Sequence, residues 1–173
     1  MNFLEKLVAE WYEYKGYFVM CNIPVEDDNR RQGGIIGEID VLAFHPTGLN
    51  GEGAEIIHIE TSSDSYTWEK RVKIFKKKFS EKERVYYEKL KLPKNCKIKR
   101  MVYLFCSNKP KDDNKEYFEK ETKAQLKTVH QFLEEIVEHF LENEKTGKKL
   151  TVPEKFPLLR AIQLAIRHGN LKN

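Results

Sequence analysis

Cysteine is scarce in this sequence, and no apolar run approaches the length of a membrane-spanning helix. The three cysteines are odd in number and show no CxxC or Cys/His spacing, which argues against a disulfide framework and against a zinc site. The first ten residues, MNFLEKLVAE, carry acids where a signal peptide carries basic residues. We therefore expect a cytoplasmic protein that does not enter a membrane.

Two common catalytic motifs are also missing. The sequence contains neither the GxxxxGK[ST] phosphate loop nor a GxSxG nucleophile motif, which argues against a phosphate-loop protein and against an enzyme with a serine nucleophile. Hydrophobic residues make up 40% of the 173 residues, which is enough for a packed core. The length predicts a single domain, 1–173, with a core over about 3–142 and a C-terminal helical extension over about 154–169.

The net charge of +4 conceals an uneven distribution of charge along the chain. Residues 1–68 hold 4 Lys or Arg and 12 Asp or Glu, whereas residues 69–100 hold 14 and 4. An acidic segment followed by a basic one suits a protein that collects cations at one place and a polyanion beside it. A basic helix that is simply solvated is the alternative.

Hydrophobic periodicity predicts a layered α/β domain of order α-β-β-β-α-β-α with an additional C-terminal helix. The helix between the third and fourth strands suits a parallel crossover, and the second and third strands are predicted to form a hairpin. We therefore expect a mixed four-stranded sheet flanked by helices. The predicted strands are 17–25, 35–44, 55–61 and 98–106. The predicted helices are 3–15, about 66–90, about 115–142 and 157–169.

Strand alternation groups the acidic side chains of the second and third strands. Glu38 and Asp40 share one face of the second strand, and His58 and Glu60 share one face of the third. Pairing of these strands brings Asp40 near Glu60, and two carboxylates held close are tolerated when a cation such as Mg²⁺ lies between them. In the alternative interpretation, Glu60 marks a frayed strand end while Glu38 and Asp40 face water.

Three segments of the chain resemble the PD-(D/E)XK nuclease superfamily: FLEKLVAEWYEYKGYFV (3–19), GGIIGEIDVLAF (33–44) and IIHIETS (56–62). The first two are similar to the opening helix and the GEID or GGID strand of Mrr-like restriction endonucleases and Holliday-junction resolvases. The resemblance covers about residues 3–106. It implies a restriction-endonuclease-like core that hydrolyses phosphodiester bonds in DNA with Mg²⁺ or Mn²⁺, and a homodimer as one mode of assembly.

The resemblance also implies roles for individual residues. Asp40 and Glu60 match the metal-binding acids of the family, and Glu38 is a further candidate ligand. Thr61 occupies the variable position, whose backbone carbonyl is often a ligand in the family. Glu5 matches the glutamate of the opening helix that contributes to the site in many members.

One position departs from the family pattern. Ser62 stands where the family has a lysine that helps to orient and activate the attacking water.

Glu10 is a second choice for the glutamate of the opening helix. His58 shares the face of Glu60, where it is either a partner of that carboxylate or, as we favour, a packed core residue.

Basic residues of the second predicted helix are candidates to replace the missing lysine. Lys70, Lys73, Lys76 and Lys77 all lie within a few turns of position 62, and Lys76 is nearest to the edge of the apolar stripe. The other three fall opposite the stripe, which suits contact with a nucleic-acid backbone. Two further candidates for such contact precede the second strand: Arg30 and Arg31.

Two alternatives to a nuclease stay open. In the first, the fold is retained but the catalytic site is degenerate, so that the protein binds nucleic acid or a partner protein without cleavage. In the second, the chain is an interaction module whose C-terminal amphipathic helix, 157–169, packs on another subunit. Packing of that helix on its own domain is the simpler expectation.

Overall fold

A computed structural model shows an α/β arrangement with helices on both sides of a mixed β-sheet. It describes residues 2–26, 35–47, 53–90, 96–106, 110–147 and 151–169, with the backbone alone at 26, 35–36 and 81–90. The strands are β1 (Phe18–Glu26), β2 (Ile35–His45), β3 (Glu55–Ser62), β4 (Lys97–Leu104) and β5 (Gln125–Thr128). The helices are α1 (Phe3–Tyr14), α2 (Trp68–Leu90), α3 (Asp112–Thr122), α4 (Val129–Lys145) and α5 (Pro157–His168).

The described strands form one sheet in the order β1-β2-β3-β4-β5. β1, β2 and β3 are antiparallel neighbours, whereas β4 and β5 extend the sheet in parallel to β3. Each parallel connection contains a helix, α2 before β4 and α3 before β5, as a crossover requires. The predicted mixed α/β sheet and the predicted hairpin of β2 and β3 are therefore confirmed.

The two sides of the sheet bury different groups of helices. Side chains of α1, α4 and α5 pack on one side, which we call the α1 face, against strand residues such as Val41, Ile59 and Tyr103. Side chains of α2 and α3 pack on the other side, the α2 face, against Val102 and Leu104. Because strand side chains alternate, the acidic positions of β2 and β3 belong to the α2 face.

The sequence-based expectation of four strands and one helix over about 115–142 is corrected here. That stretch contains α3, then β5, then α4. Lys123 ends α3 in the left-handed conformation, with φ of 55°. Thr128 then starts α4 with a capping box, in which its side chain accepts from Gln131 N while the Gln131 side chain accepts from Thr128 N. Gln125–Thr128, which follow the end of α3 and include the N-cap of α4, pair with β4 as an extra strand.

The C-terminal helix packs on the opening helix. The Glu10 carboxylate of α1 accepts hydrogen bonds from the first backbone N–H groups of α5, at 2.9 Å from Leu158 and 3.1 Å from Leu159. This carboxylate therefore caps α5, since the first N–H groups of a helix lack partners inside the helix. Among the described residues, no helix combines the length and the apolar character needed to cross a membrane.

Candidate active site

The hairpin of β2 and β3 brings two acidic side chains together on the α2 face. Val41 pairs with Ile59 and Leu42 with His58, so that Asp40 and Glu60 are opposite each other at the next position. Asp40 is 7% exposed and Glu60 is fully buried. We call these two residues the carboxylate pair. Their burial excludes the alternative in which Glu60 marks a frayed strand end and Asp40 faces water, whereas Glu38 is exposed as that alternative expected.

Asp40 is held by the residue that follows Glu60. Its Oδ2 accepts a hydrogen bond from the backbone N–H of Thr61 at 2.7 Å and another from the Thr61 hydroxyl at 3.1 Å. A carboxylate that accepts from one rigid strand position has little rotational freedom, because both donors lie on the same residue. Thr61 therefore holds the Asp40 carboxylate in one orientation.

Glu60 is held from two sides by groups that can donate hydrogen bonds. His58 Nε2 lies 2.9 Å from Glu60 Oε1, and Lys78 of α2 donates to Oε2. Lys78 Nζ also lies 3.9 Å from Asp40 Oδ2, so that one ammonium contacts both members of the carboxylate pair. The negative charge of the pair is thus balanced in part by one ammonium.

The shifts of pKa in this cluster follow from burial and from the neighbouring charges. Burial, the largest cause, and repulsion by Glu60 raise the pKa of Asp40, and Lys78 and the Thr61 hydrogen bonds offset this only in part. For Lys78, burial acts to lower the pKa, but attraction to Glu60, Asp40 and Glu38 outweighs it and the pKa is raised. Lys78 is therefore a stable ammonium at neutral pH.

The other residues assigned by the family resemblance differ in their distance from the carboxylate pair. Ser62 and Glu38 belong to the same two strands as the pair, whereas Glu5 belongs to α1. Ser62 donates to Asp64 Oδ2 at 3.2 Å, and Glu38 is exposed but close enough for its charge to raise the pKa of Lys78. Glu5 belongs to the capping box of α1, where its Oε2 accepts from the backbone N–H of Asn2 at 2.8 Å. Because α1 packs on the α1 face, this capping box is separated from the pair by the sheet.

The basic residues that the sequence named as candidates lie on other parts of α2 or outside the described residues. Lys76 Nζ lies 2.7 Å from Glu121 of α3, at the flank of α2 away from β2. Lys70 lies over the Tyr66 ring at 3.5 Å, and Lys73 and Lys77 are exposed. Two further candidates, Arg30 and Arg31, lie outside the described residues.

Sequence reasoning missed Lys78, although a signal for it existed. On a helix of 3.6 residues per turn, Lys76 and Lys78 flank the apolar stripe at about 80° on opposite sides. Periodicity alone does not say which flank faces the acidic strands. A β-strand, a helix and a parallel β-strand connect with right-handed geometry, and this rule would have placed the Lys78 flank toward β2.

The donor set suits a divalent ion that keeps part of its water shell. Among the described residues, no group of three or more His, Cys, Asp and Glu side chains forms a metal cage. Mg²⁺, however, is commonly held by one or two carboxylates together with water and substrate phosphate oxygens. Asn22 of β1 lies between the residues that pair with Val41 and Ile39, the two neighbours of Asp40, and its Oδ1 is buried without a hydrogen-bond partner among the described residues. The residues present therefore fit Mg²⁺ or Mn²⁺.

Comparison with models of protein families, with curated proteins and with solved structures found no match to this chain.

Proposed function

We propose that this chain is a metal-dependent nuclease with a restriction-endonuclease-like core and that it hydrolyses phosphodiester bonds in DNA. The observation that carries the proposal is the contact of Lys78 Nζ with both Asp40 and Glu60. In this cluster a helix supplies the amine that is missing at position 62. The order of helices and strands from α1 to β4, with a mixed sheet, supports the same assignment.

The proposed metal ligands are the carboxylates of Asp40 and Glu60, with Thr61, Glu38 and Asn22 as nearby sources of oxygen. Mg²⁺ or Mn²⁺ bound there supplies Lewis acidity for attack on the phosphorus. Thr61 keeps Asp40 in one orientation and His58 keeps Glu60 in one orientation. Preorganised ligands of this kind lose little freedom when an ion binds.

Lys78 acts through its positive charge. Its raised pKa means that it carries a proton at neutral pH, so that it serves as a hydrogen-bond donor and not as a general base. A partly buried ammonium beside the reacting phosphate stabilises the negative charge that builds up during transfer. Its attachment to a helix fixes its position relative to the two strands.

The surface next to the cluster suits a nucleic-acid backbone. Lys70, Lys73 and Lys77 are exposed on α2, within the segment where basic residues outnumber acidic ones by 14 to 4. Exposed lysines neutralise phosphates and release counterions, which gives affinity that is independent of sequence and sensitive to salt. These lysines are therefore proposed phosphate contacts and are separate from the reacting amine.

A cleavage assay tests the proposal. We expect the purified protein to cut plasmid or linear DNA in Mg²⁺ or Mn²⁺, and Asp40→Asn and Glu60→Gln to lower the rate at least about 100-fold. Glu135→Gln is the matched control, because it neutralises a carboxylate on the α1 face and should leave the rate unchanged. Cutting that survives both active-site substitutions would refute the proposed site.

Binding without cleavage is the second candidate function. The observation that favours it is the hydrogen bond of Ser62 with Asp64, since the usual lysine position makes no contact with the carboxylate pair in the structure. Under this alternative, no DNA is cut with any divalent ion. Salt-sensitive binding would persist and would be lost when Lys70, Lys73 and Lys77 are neutralised.

A further inference from the structure

A cavity lies at the carboxyl ends of the parallel strands β3 and β4. It has a volume of about 510 Å³ and is lined by the loop 63–66, the first turns of α2, Phe105 and Cys106 after β4, and the start of α3. Ligands of open α/β sheets bind in such crevices beyond the carboxyl ends of the strands. The volume falls within the range of about 300–1,000 Å³ that is usual for small-molecule sites.

A buried arginine in the wall of this cavity has an unused donor. Arg71 is 8% exposed, and its guanidinium lies 4.9 Å from the centre of the Trp68 ring. One terminal nitrogen donates to the backbone carbonyl of Asp64 at 2.6 Å, but Nε is buried and has no hydrogen-bond partner among the described residues. The guanidinium of arginine carries five N–H groups, and Arg71 lines the cavity, so that its remaining donors can serve a ligand there.

The same cavity offers aromatic faces to a ligand. Phe105 is 61% exposed and Tyr66 is 38% exposed, and both line the cavity together with the partly buried Trp68. Large aromatic side chains are normally buried, so that their exposure at a cavity wall suits a planar ligand that stacks. Lys70 already lies over the Tyr66 ring, and Lys111 also lines the cavity. The wall thus combines stacking surfaces with positive charge.

A smaller cavity shares lining residues with this wall and with the proposed active site. It measures about 50 Å³ and is lined by Thr61, Ser62 and Lys78, together with Asp64, Tyr66 and Arg71 of the larger cavity. A strand whose phosphate contacts Lys78 would therefore place a neighbouring nucleotide at the aromatic wall. A base within a stacked duplex cannot present its face to a side chain, whereas an unpaired base can.

We infer that the larger cavity binds one unpaired nucleobase of the DNA strand next to the phosphate that is cut, with Phe105 as the stacking platform and Arg71 as a hydrogen-bond donor. This assignment rests on the proposed nuclease function and makes its preferred substrate DNA with a single-stranded segment. Stacking on aromatic side chains is tolerant of sequence, because every base has a π-face. The cavity therefore selects unpaired structure and not base identity.

Binding without any divalent ion tests the inference independently of cleavage. Fluorescence anisotropy would compare a labelled single-stranded oligonucleotide with its duplex. We expect tighter binding of the single strand, and a loss of about tenfold in that affinity for Phe105→Ala. Phe18→Ala is the matched control, since Phe18 is an equally exposed phenylalanine on β1, and it should change nothing. Equal binding of the single strand by wild type and Phe105→Ala would overturn the inference.

A second readout reports on stacking itself. A 2-aminopurine base in the oligonucleotide should lose fluorescence on binding to wild type and keep it on binding to Phe105→Ala. Arg71→Lys should also weaken binding of the single strand, and a thermal melt would check that this variant folds. Unchanged 2-aminopurine fluorescence on binding to wild type would likewise contradict the stacking role.

The outcomes separate the two proposals. Binding of the unpaired base with no cleavage in Mg²⁺ or Mn²⁺ would refute the nuclease and leave the cavity assignment standing as a binding site. Equal cutting of single strand and duplex, unaffected by Phe105→Ala, would refute the cavity assignment and leave the nuclease standing. Faster cutting of the single strand that Phe105→Ala abolishes would support both.

Discussion

Two acidic sites on opposite faces of the sheet differ in how their negative charge is balanced: Glu135 on the α1 face, and the carboxylate pair of the proposed active site on the α2 face. On the α1 face, Glu135 accepts hydrogen bonds from Lys127, from Lys15 at 3.4 Å and from Trp11 Nε1 at 3.3 Å. On the α2 face, Asp40 and Glu60 share one ammonium, that of Lys78. The first site has more positive than negative charge, whereas the second has one more negative charge than positive in the three side chains.

The difference in charge gives opposite shifts of pKa. Burial acts to raise the pKa of Glu135, but the hydrogen bond from Lys127 and the charges of Lys127 and Lys15 outweigh it and the pKa is lowered. The pKa of Asp40 is raised by burial and by Glu60. A carboxyl group whose pKa is raised by burial and by a neighbouring like charge is typical of a functional site.

The largest expected effect separates Lys78 from its neighbour on the same helix. Lys78→Met should lower DNA cleavage about 100-fold or more, because the ammonium beside the reacting phosphate is lost. Lys76→Met, two residues away, removes only the exposed pair with Glu121 and should leave the rate within about twofold. Single-turnover cleavage with radiolabelled DNA would measure both. Equal losses of cleavage rate in the two variants would mean that the removal of any positive charge from α2 lowers the rate, and not the loss of the Lys78 contact with the carboxylate pair.

The next effect concerns stability. Glu135→Gln should lower the free energy of unfolding by about 1–2 kcal/mol, because Lys15 and Lys127 lose their ionised partner in a partly exposed site. Asp40→Asn removes a like charge beside Glu60, so that it should lower the free energy of unfolding by no more than about 0.5 kcal/mol. Urea unfolding monitored by circular dichroism would measure both. A larger loss for Asp40→Asn than for Glu135→Gln would reverse the comparison.

The pH dependence of unfolding sharpens the same contrast. The lowered pKa of Glu135 contributes stability that is present above its unfolded value and is lost as the pH falls through the acidic range. The raised pKa of Asp40 has the opposite sign, since protonation on acidification relieves the folded state. Between pH 7 and pH 4, Glu135→Gln should therefore lose less stability than wild type, and Asp40→Asn should lose more. If the free energy of unfolding changed with pH in the same way for all three proteins, the assigned pKa shifts of Glu135 and Asp40 would be wrong.

The smallest expected effect concerns the exposed lysines of α2. Replacing Lys70, Lys73 and Lys77 with Gln should weaken DNA binding about tenfold and reduce the slope of log affinity against log salt by about 2–3. The matched control replaces three lysines elsewhere on the surface: Lys6, Lys145 and Lys155. Anisotropy at several salt concentrations would measure both variants. An equal change of slope in the control would show that net charge alone is responsible.

The sequence predicted the acidic part of the site because strand alternation has a short and regular period. Glu38, Asp40, His58 and Glu60 were assigned to shared faces from position alone, and the register of β2 and β3 follows that assignment. His58 was expected as a packed core residue, and it is fully buried, but it also lies within hydrogen-bond distance of Glu60. Periodicity assigns a face to a side chain and does not identify its partner.

The rest of the fold and of the site depends on tertiary information. β5 has only four residues, too few for an alternating pattern to stand out from the helical pattern on both sides, although the capping box at Thr128 was readable. The choice between Lys76 and Lys78 needed the handedness of the crossover at α2. Asn22 adopts a left-handed conformation within β1, which local sequence does not indicate.

Binding of Mn²⁺, followed by electron paramagnetic resonance of the free ion, tests most directly whether Asp40 and Glu60 together hold a divalent cation. We expect wild type to bind the ion, Glu60→Gln to lose this binding, and Lys78→Met to bind more tightly because no ammonium competes for the same oxygens. Unchanged binding in Glu60→Gln, or no binding in either wild type or Lys78→Met, would contradict the proposed metal site.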